Sequence, residues 1–113
     1  WAASFLRGTM RSHDVCCRTG GDEFAVILPG VTPDECRAII DRLHRSLASA
    51  NEVRDRPIGL SFGVASCPDD GQTAATLLSH ADENLYRDKR RQKARNTPVS
   101  ETAAVAAIPL RPR

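Results

Sequence analysis

Aromatic residues are scarce in this chain, at 4% of 113 positions, with one tryptophan, one tyrosine and three phenylalanines. A protein that grips single-stranded nucleic acid by stacking needs more of them. No apolar run approaches bilayer length, so no transmembrane helix is expected. The net charge of +2 is too small to argue by itself for a polyanionic partner. The four cysteines, Cys16, Cys17, Cys36 and Cys67, include no CxxC pair and no histidine at zinc-ligand spacing. They are read as reduced thiols, packed as small hydrophobes in a cytoplasmic protein. His13, His44 and His80 are scattered, with no nucleophile and acid placed around them. No signal peptide opens the chain, and Trp1 in place of methionine points to a start internal to a longer protein. Whether that parent is membrane-anchored stays open.

What is present is an ordinary globular composition, 41% hydrophobic and 27% charged, in a chain long enough for one domain with a modest core. Trp1, Phe5, Leu6 and Met10 predict the end of an amphipathic helix over residues 1–12, despite Gly8. Residues 14–19 read as a short strand and Phe24-Ala25-Val26-Ile27-Leu28 as a second, joined as a hairpin. Thr32-Pro33-Asp34-Glu35 then supplies a cap hydroxyl, a proline at the first helical position and a glutamate at the third. The helix that follows carries Cys36, Ile39, Ile40, Leu43 and Leu47 on one face and is expected to stop near Ser49. Ile58, Leu60, Phe62 and Val64 alternate with Gly59, Ser61, Gly63 and Ala65, a strand with one bulky face and one of very small residues. Something must pack closely against that small face. After a turn at Pro68-Asp69-Asp70-Gly71, Thr73 caps a last helix with Leu77, Leu78, Ala81 and Leu85 on its buried side. From Thr97 onward the run of Ala, Pro, Thr and Arg has no useful periodicity, and residues 97–113 are expected to form a disordered tail. The order helix, strand, strand, helix, strand, helix predicts an α+β sandwich, with helices packed against a mainly antiparallel sheet.

Between the first two strands lies Arg18-Thr19-Gly20-Gly21-Asp22-Glu23-Phe24. Gly-Gly permits positive φ and lets a bulky polar ligand approach the backbone. Adjacent acids suit a hard cation, although an ordinary turn with solvated acids has the same composition. Other motifs stand in register with the turn. Five residues separate Arg11-Ser12-His13-Asp14 from Gly20, and Asp41-Arg42, Ser61-Phe62-Gly63-Val64-Ala65, Ala81-Asp82, Leu85-Tyr86 and Lys89 follow in order. This series resembles the RxxD, GGDEF, SxGxA and AD-x-x-LY-x-x-K motifs of the GGDEF family, the diguanylate cyclases. Asp41-Arg42 stands where that family usually has Glu-Arg.

The resemblance implies a ferredoxin-like, nucleotide-cyclase palm, here a partial domain over residues 1–96 with its N-terminal part missing. It implies an activity that joins two GTP molecules into cyclic di-GMP with release of two pyrophosphates. By the same likeness Asp22 and Glu23 would bind Mg2+ or Mn2+, and one of them would assist deprotonation of the attacking 3′-hydroxyl. Gly20, Gly21 and Lys89 would contact the nucleotide. A homodimer with one GTP per copy and an upstream sensory domain would complete the system. Arg11 and Asp14 match an inhibitory site that holds the product, and Arg42 matches a position that can join it; a surface ion pair and a solvated helix arginine are the plainer alternatives.

The chain also departs from the family pattern. Thr19 replaces the usual aromatic residue before Gly20. Ala94-Arg95-Asn96 comes two residues late and Lys93 occupies the expected arginine position, leaving open which of Lys93 and Arg95 reaches phosphate. The basic run from Arg87 to Arg95 suits a hydrated helix end better than nucleic acid, with Tyr86 alone as a nearby aromatic. The family's upstream strand with its first metal-binding aspartate, and its guanine-recognising Asn and Asp, have no counterpart in this sequence. The isolated chain is therefore expected not to make cyclic di-GMP efficiently. The alternative is a non-catalytic effector that binds cyclic di-GMP through Arg11 and Asp14, against which the intact acids of the turn argue.

Overall fold

The computed structural model describes residues 1–94 and 101–111, with the backbone alone at 91–94, 101 and 102. The elements are α1 (Ala2–Thr9), β1 (Val15–Arg18), β2 (Glu23–Pro29), α2 (Pro33–Asn51), β3 (Ile58–Val64), α3 (Ala74–Ala94) and β4 (Glu101–Leu110). Gly30, at φ 72°, ends β2 in a left-handed conformation that a residue with a Cβ adopts only at a cost. Thr32 then opens α2 with the capping box its sequence predicts: the Thr32 hydroxyl accepts from the Glu35 backbone N–H at 3.2 Å, and Glu35 accepts from the Thr32 N–H at 3.4 Å. The helix runs two residues past Ser49 because Asn51 binds the next strand. Its Nδ2 donates to the Ile58 carbonyl at 2.8 Å and its Oδ1 accepts from the Ile58 N–H at 3.0 Å.

The four strands lie in the order β1-β2-β4-β3. β1 and β2 form the expected antiparallel hairpin, from Val15 opposite Ile27 to Arg18 opposite Phe24. Two expectations are corrected at β4. Residues 101–110 are not a disordered tail but the strand between β2 and β3, parallel to both, so the sheet is mixed rather than mainly antiparallel. Residues 97–100, 112 and 113 lie outside the described residues. The physical reason is burial: Ala103, Val105 and Ala107 face one core and Ala106 and Ile108 the other, so both faces of β4 are covered. A strand buried on both sides carries no alternation of apolar and polar residues.

One face of the sheet, with Phe24, Val26, Leu28, Leu60, Phe62 and Val105, packs on Leu6 of α1 and on Cys36, Leu43 and Leu47 of α2. Leu77 and Ala81 of α3 cover the other face. The sandwich of sheet and helices predicted from sequence is thus present. The small-residue face of β3 meets its expected neighbour, since a Cβ at Gly63 would strike the Ala81 carbonyl oxygen and approach the Leu85 N to 2.6 Å. α3 also covers the outer edge of β3. Asn84 Nδ2 donates to the Val64 carbonyl and Asp88 Oδ2 accepts from the Phe62 N–H, both at 2.7 Å, which occupies groups that an edge strand otherwise offers to other chains. Among the described residues no helix is long and apolar enough to cross a membrane.

Candidate functional site: the acidic turn between β1 and β2

The turn is built by its own backbone and by Arg18. The N–H groups of Thr19 and Gly20 both donate to the Glu23 carbonyl, at 2.9 and 3.4 Å. Arg18 reaches over the loop: Nε donates to the carbonyls of Gly20 and Gly21 at 3.2 and 2.9 Å, and Nη2 to that of Gly21 at 2.7 Å. On the far side, the Ala104 N–H donates to the Asp22 carbonyl at 2.7 Å, docking the turn on β4. Positive φ is not how the two glycines serve the turn, because among the described residues the glycines that have it are Gly30 and Gly71. Gly20 supplies space, since a Cβ there would lie 3.1 Å from Glu23 Oε2. Gly21 supplies an open surface, with nothing within 4 Å of such an atom.

Asp22 and Glu23 are both exposed, yet they border different spaces. Asp22 lines a cavity of about 90 Å³ with Trp1, Arg18, Gly21, Phe24 and Ile58. Glu23 lines one of about 200 Å³ with Thr19, Leu78, Asp82, Leu85 and Ala106. Strand alternation is the cause: β2 begins at Glu23, and successive side chains point to opposite faces. No group of three or more His, Cys, Asp or Glu side chains among the described residues is placed to hold a metal ion. Among the described residues, then, no third ligand of these types stands with Asp22 and Glu23.

Across the sheet Glu23, Ala104 and Ser61 share one row. Asp88 binds the N–H of Phe62, the residue after Ser61, so α3 reaches the outer edge of β3 one residue before Lys89. Lys89 is exposed and lies on α3 four residues beyond Leu85, which lines the Glu23 cavity. Lys93 falls within α3, but its side chain is not described, and Arg95 lies outside the described residues. Ser61 is fully buried in this row, and its hydroxyl has no hydrogen-bond partner among the described residues.

Arg11 and Asp14 form a second polar cluster, just before β1. Arg11 Nη2 donates to Asp14 Oδ1 at 2.8 Å, Nε donates to both carboxylate oxygens at 3.2 Å, and the Arg11 N–H donates to Oδ2 at 2.9 Å. Nη2 also reaches the Pro29 carbonyl at 3.1 Å. The Asp14 side chain is only 3% accessible while that of Arg11 is 42% accessible. Burial works against the charge on Asp14, but the side-chain and backbone hydrogen bonds from Arg11 outweigh it and hold the carboxyl below its ordinary range. The same hydrogen bond pushes the Arg11 guanidinium up. Arg42 is exposed on α2, and no described hydrogen bond or ion pair joins it to this pair.

The sequence singles out the turn, Arg11, Asp14 and Lys89 but not three features that the structure shows at the turn. The hold of Arg18 on the turn carbonyls is foreshadowed only by its place two residues before Gly20. Asp82 lines the Glu23 cavity, and the helical step from Leu78 to Asp82 to Leu85 is the signal that could have found it. The docking of Asp22 on Ala104 had no signal, because β4 itself was unread.

Comparison with known proteins bears on this turn directly. The family model described as diguanylate cyclase, GGDEF domain, matches residues 2–95, ending before β4. The probable diguanylate cyclase DgcE of Escherichia coli is 32% identical over 107 residues, covering 92% of this chain and 10% of that protein. The bifunctional diguanylate cyclase/cyclic di-GMP phosphodiesterase MucR of Pseudomonas aeruginosa is 33% identical over 92 residues, covering 77% of this chain and 13% of that protein. The response regulator PleD of Caulobacter vibrioides is 30% identical over 105 residues, covering 87% and 22%. The chain thus spans a quarter or less of the length of these relatives, and no solved structure matches it. With the Gly20–Phe24 turn standing inside a match that covers residues 2–95, the chain belongs to the GGDEF domain family of diguanylate cyclases.

Proposed function

We propose that this chain is the C-terminal portion of a diguanylate cyclase domain, and that its turn forms part of a site where GTP is condensed into cyclic di-GMP. The observation that carries the reading is the intact, exposed Gly20–Glu23 turn inside the family match, with Glu23 bordering a cavity that α3 lines with Leu78, Asp82 and Leu85. In the reaction a 3′-hydroxyl loses its proton and attacks the α-phosphate of a second GTP, and pyrophosphate leaves. A carboxylate of the turn would take up the proton or offer an oxygen to a cation, while Lys89 would offer a charge to the departing phosphates. Mg2+ or Mn2+ would neutralise phosphate charge; of its donors this chain offers Glu23 and Asp22, and the remainder would come from outside these residues. Two GTP molecules must face each other, so the active form would be a homodimer, with an upstream sensory domain controlling it. No nucleic acid is required as a partner.

Arg11 and Asp14 are proposed as a product-binding site, with Arg42 as an additional contact. The pair is preformed, and arginine can turn its planar fork from a carboxylate to a phosphate or a guanine edge. Calorimetric titration tests both parts. GTP with Mg2+ is expected to bind wild type and to bind Glu23→Gln at least tenfold more weakly; equal affinity would remove Glu23 from the site. Cyclic di-GMP is expected to bind wild type and not Arg11→Ala. A chain that bound cyclic di-GMP but never GTP would instead be a non-catalytic effector.

A further inference from the structure

We propose that Arg18 is a positioning residue of this site: it holds the carbonyls of Gly20 and Gly21 to one side, so that the N–H groups of Gly21 and Asp22 are presented together on the other as a cradle for a phosphate oxygen. The proposal rests on the reading of the turn as a GTP site and adds the residue that shapes its backbone.

Arg18 closes β1 opposite Phe24, and its guanidinium bridges both glycine carbonyls at 2.7 to 3.2 Å. In a trans peptide the C=O and N–H of one plane point in opposite directions. The Gly20 carbonyl shares its plane with the Gly21 N–H, and the Gly21 carbonyl shares its plane with that of Asp22. Drawing both carbonyls to the guanidinium therefore turns both N–H groups away from it. These two are the uncommitted donors of the turn. Thr19 and Gly20 donate to Glu23, whereas among the described residues no acceptor meets the N–H of Gly21 or Asp22. Successive N–H groups facing one way form a concavity that binds anions. A cation on the carbonyl oxygens polarises the same two peptide groups, which strengthens their N–H groups as donors. Access is open, because even an added Cβ on Gly21 would touch nothing within 4 Å.

The test is an amide resonance titration of the isotope-labelled 113-residue chain with inorganic pyrophosphate in the presence of Mg2+. The Gly21 and Asp22 amides are expected to move most, and those of Thr19 and Gly20, committed to Glu23, much less. Arg18→Ala is expected to abolish the Gly21 and Asp22 response and weaken pyrophosphate binding on the order of tenfold. Arg18→Lys is expected to restore little, because a point donor does not span two carbonyls. Thr19 and Gly20 resonances that stay in place report an intact hairpin, separating positioning from folding. If the Gly21 and Asp22 responses persist in Arg18→Ala, or if pyrophosphate moves resonances around Lys89 while leaving those two still, the proposal is wrong and the GTP site stands. If pyrophosphate moves nothing, both fail. The wild-type titration decides even if Arg18→Ala does not fold, because Gly21 and Asp22 amides that ignore pyrophosphate overturn the proposal without any variant.

Discussion

Gly63 has no side chain because α3 lies where one would go. An added methyl would collide with the Ala81 carbonyl and sit 2.6 Å from the Leu85 N, both backbone atoms that move only with the whole helix. Gly63→Ala is therefore expected to cost about 3 kcal/mol, at the upper end of overpacking in a close-packed interior, measured by urea unfolding; a loss below about 0.5 kcal/mol would show that α3 shifts freely. The Arg11–Asp14 pair yields a prediction in pH. Asp14 is depressed below its ordinary 3.8 in the folded chain, so the unfolded state binds protons first as pH falls. The stabilisation is complete above 3.8 and is lost as pH drops through the lower folded value. With Arg11 open to solvent, screening keeps the pair's contribution small. Asp14→Asn is expected to shrink the acid-side fall in unfolding free energy, and an unchanged acid limb would count against the pair.

At the scale of elements, β4 matters most to the fold. β2 and β3 are not paired with each other in the sheet; each pairs with β4 along its length. Two ladders at about 1 kcal/mol per hydrogen bond, together with the burial of Val105 and Ile108, are a large share of a net stability of about 5 to 15 kcal/mol. A chain ending at residue 100 is expected to lose cooperative urea unfolding, whereas one ending at Arg111 keeps it. A cooperative transition at an unchanged midpoint in the shorter chain would show that β4 is dispensable. The sequence was silent on this strand for physical reasons. α2 announced itself through Thr32 and Glu35, and β3 through alternation of large and small residues. Ala103, Ala104, Ala106 and Ala107 have weak strand preference, Pro109 argues against a central strand, and burial on both faces removes alternation. The site followed the same division. Local motifs such as the turn were legible, while what β4 and α3 bring beside it depended on long-range pairing.

For the whole molecule, the position of β4 bears on catalysis as well as stability. Next to Glu23 it contributes Ala104 and Ala106, methyl groups without oxygen donors. Asp22 lines the other cavity, and Asp82 is the second carboxylate bordering the space of Glu23. Phosphoryl transfer between two nucleotides depends on dense, preorganised charge around the reacting phosphates. The isolated 113-residue chain supplies it thinly. Incubated with GTP and Mg2+ and followed by chromatography for cyclic di-GMP and by coupled detection of pyrophosphate, it is expected to bind nucleotide without measurable turnover. Product at rates typical of enzymes, about 1 per second or faster, would mean that the turn, Lys89 and a second copy of the chain suffice. A chain that gained turnover only when Ala104 or Ala106 was replaced by aspartate would identify the missing charge beside Glu23 as the deficit.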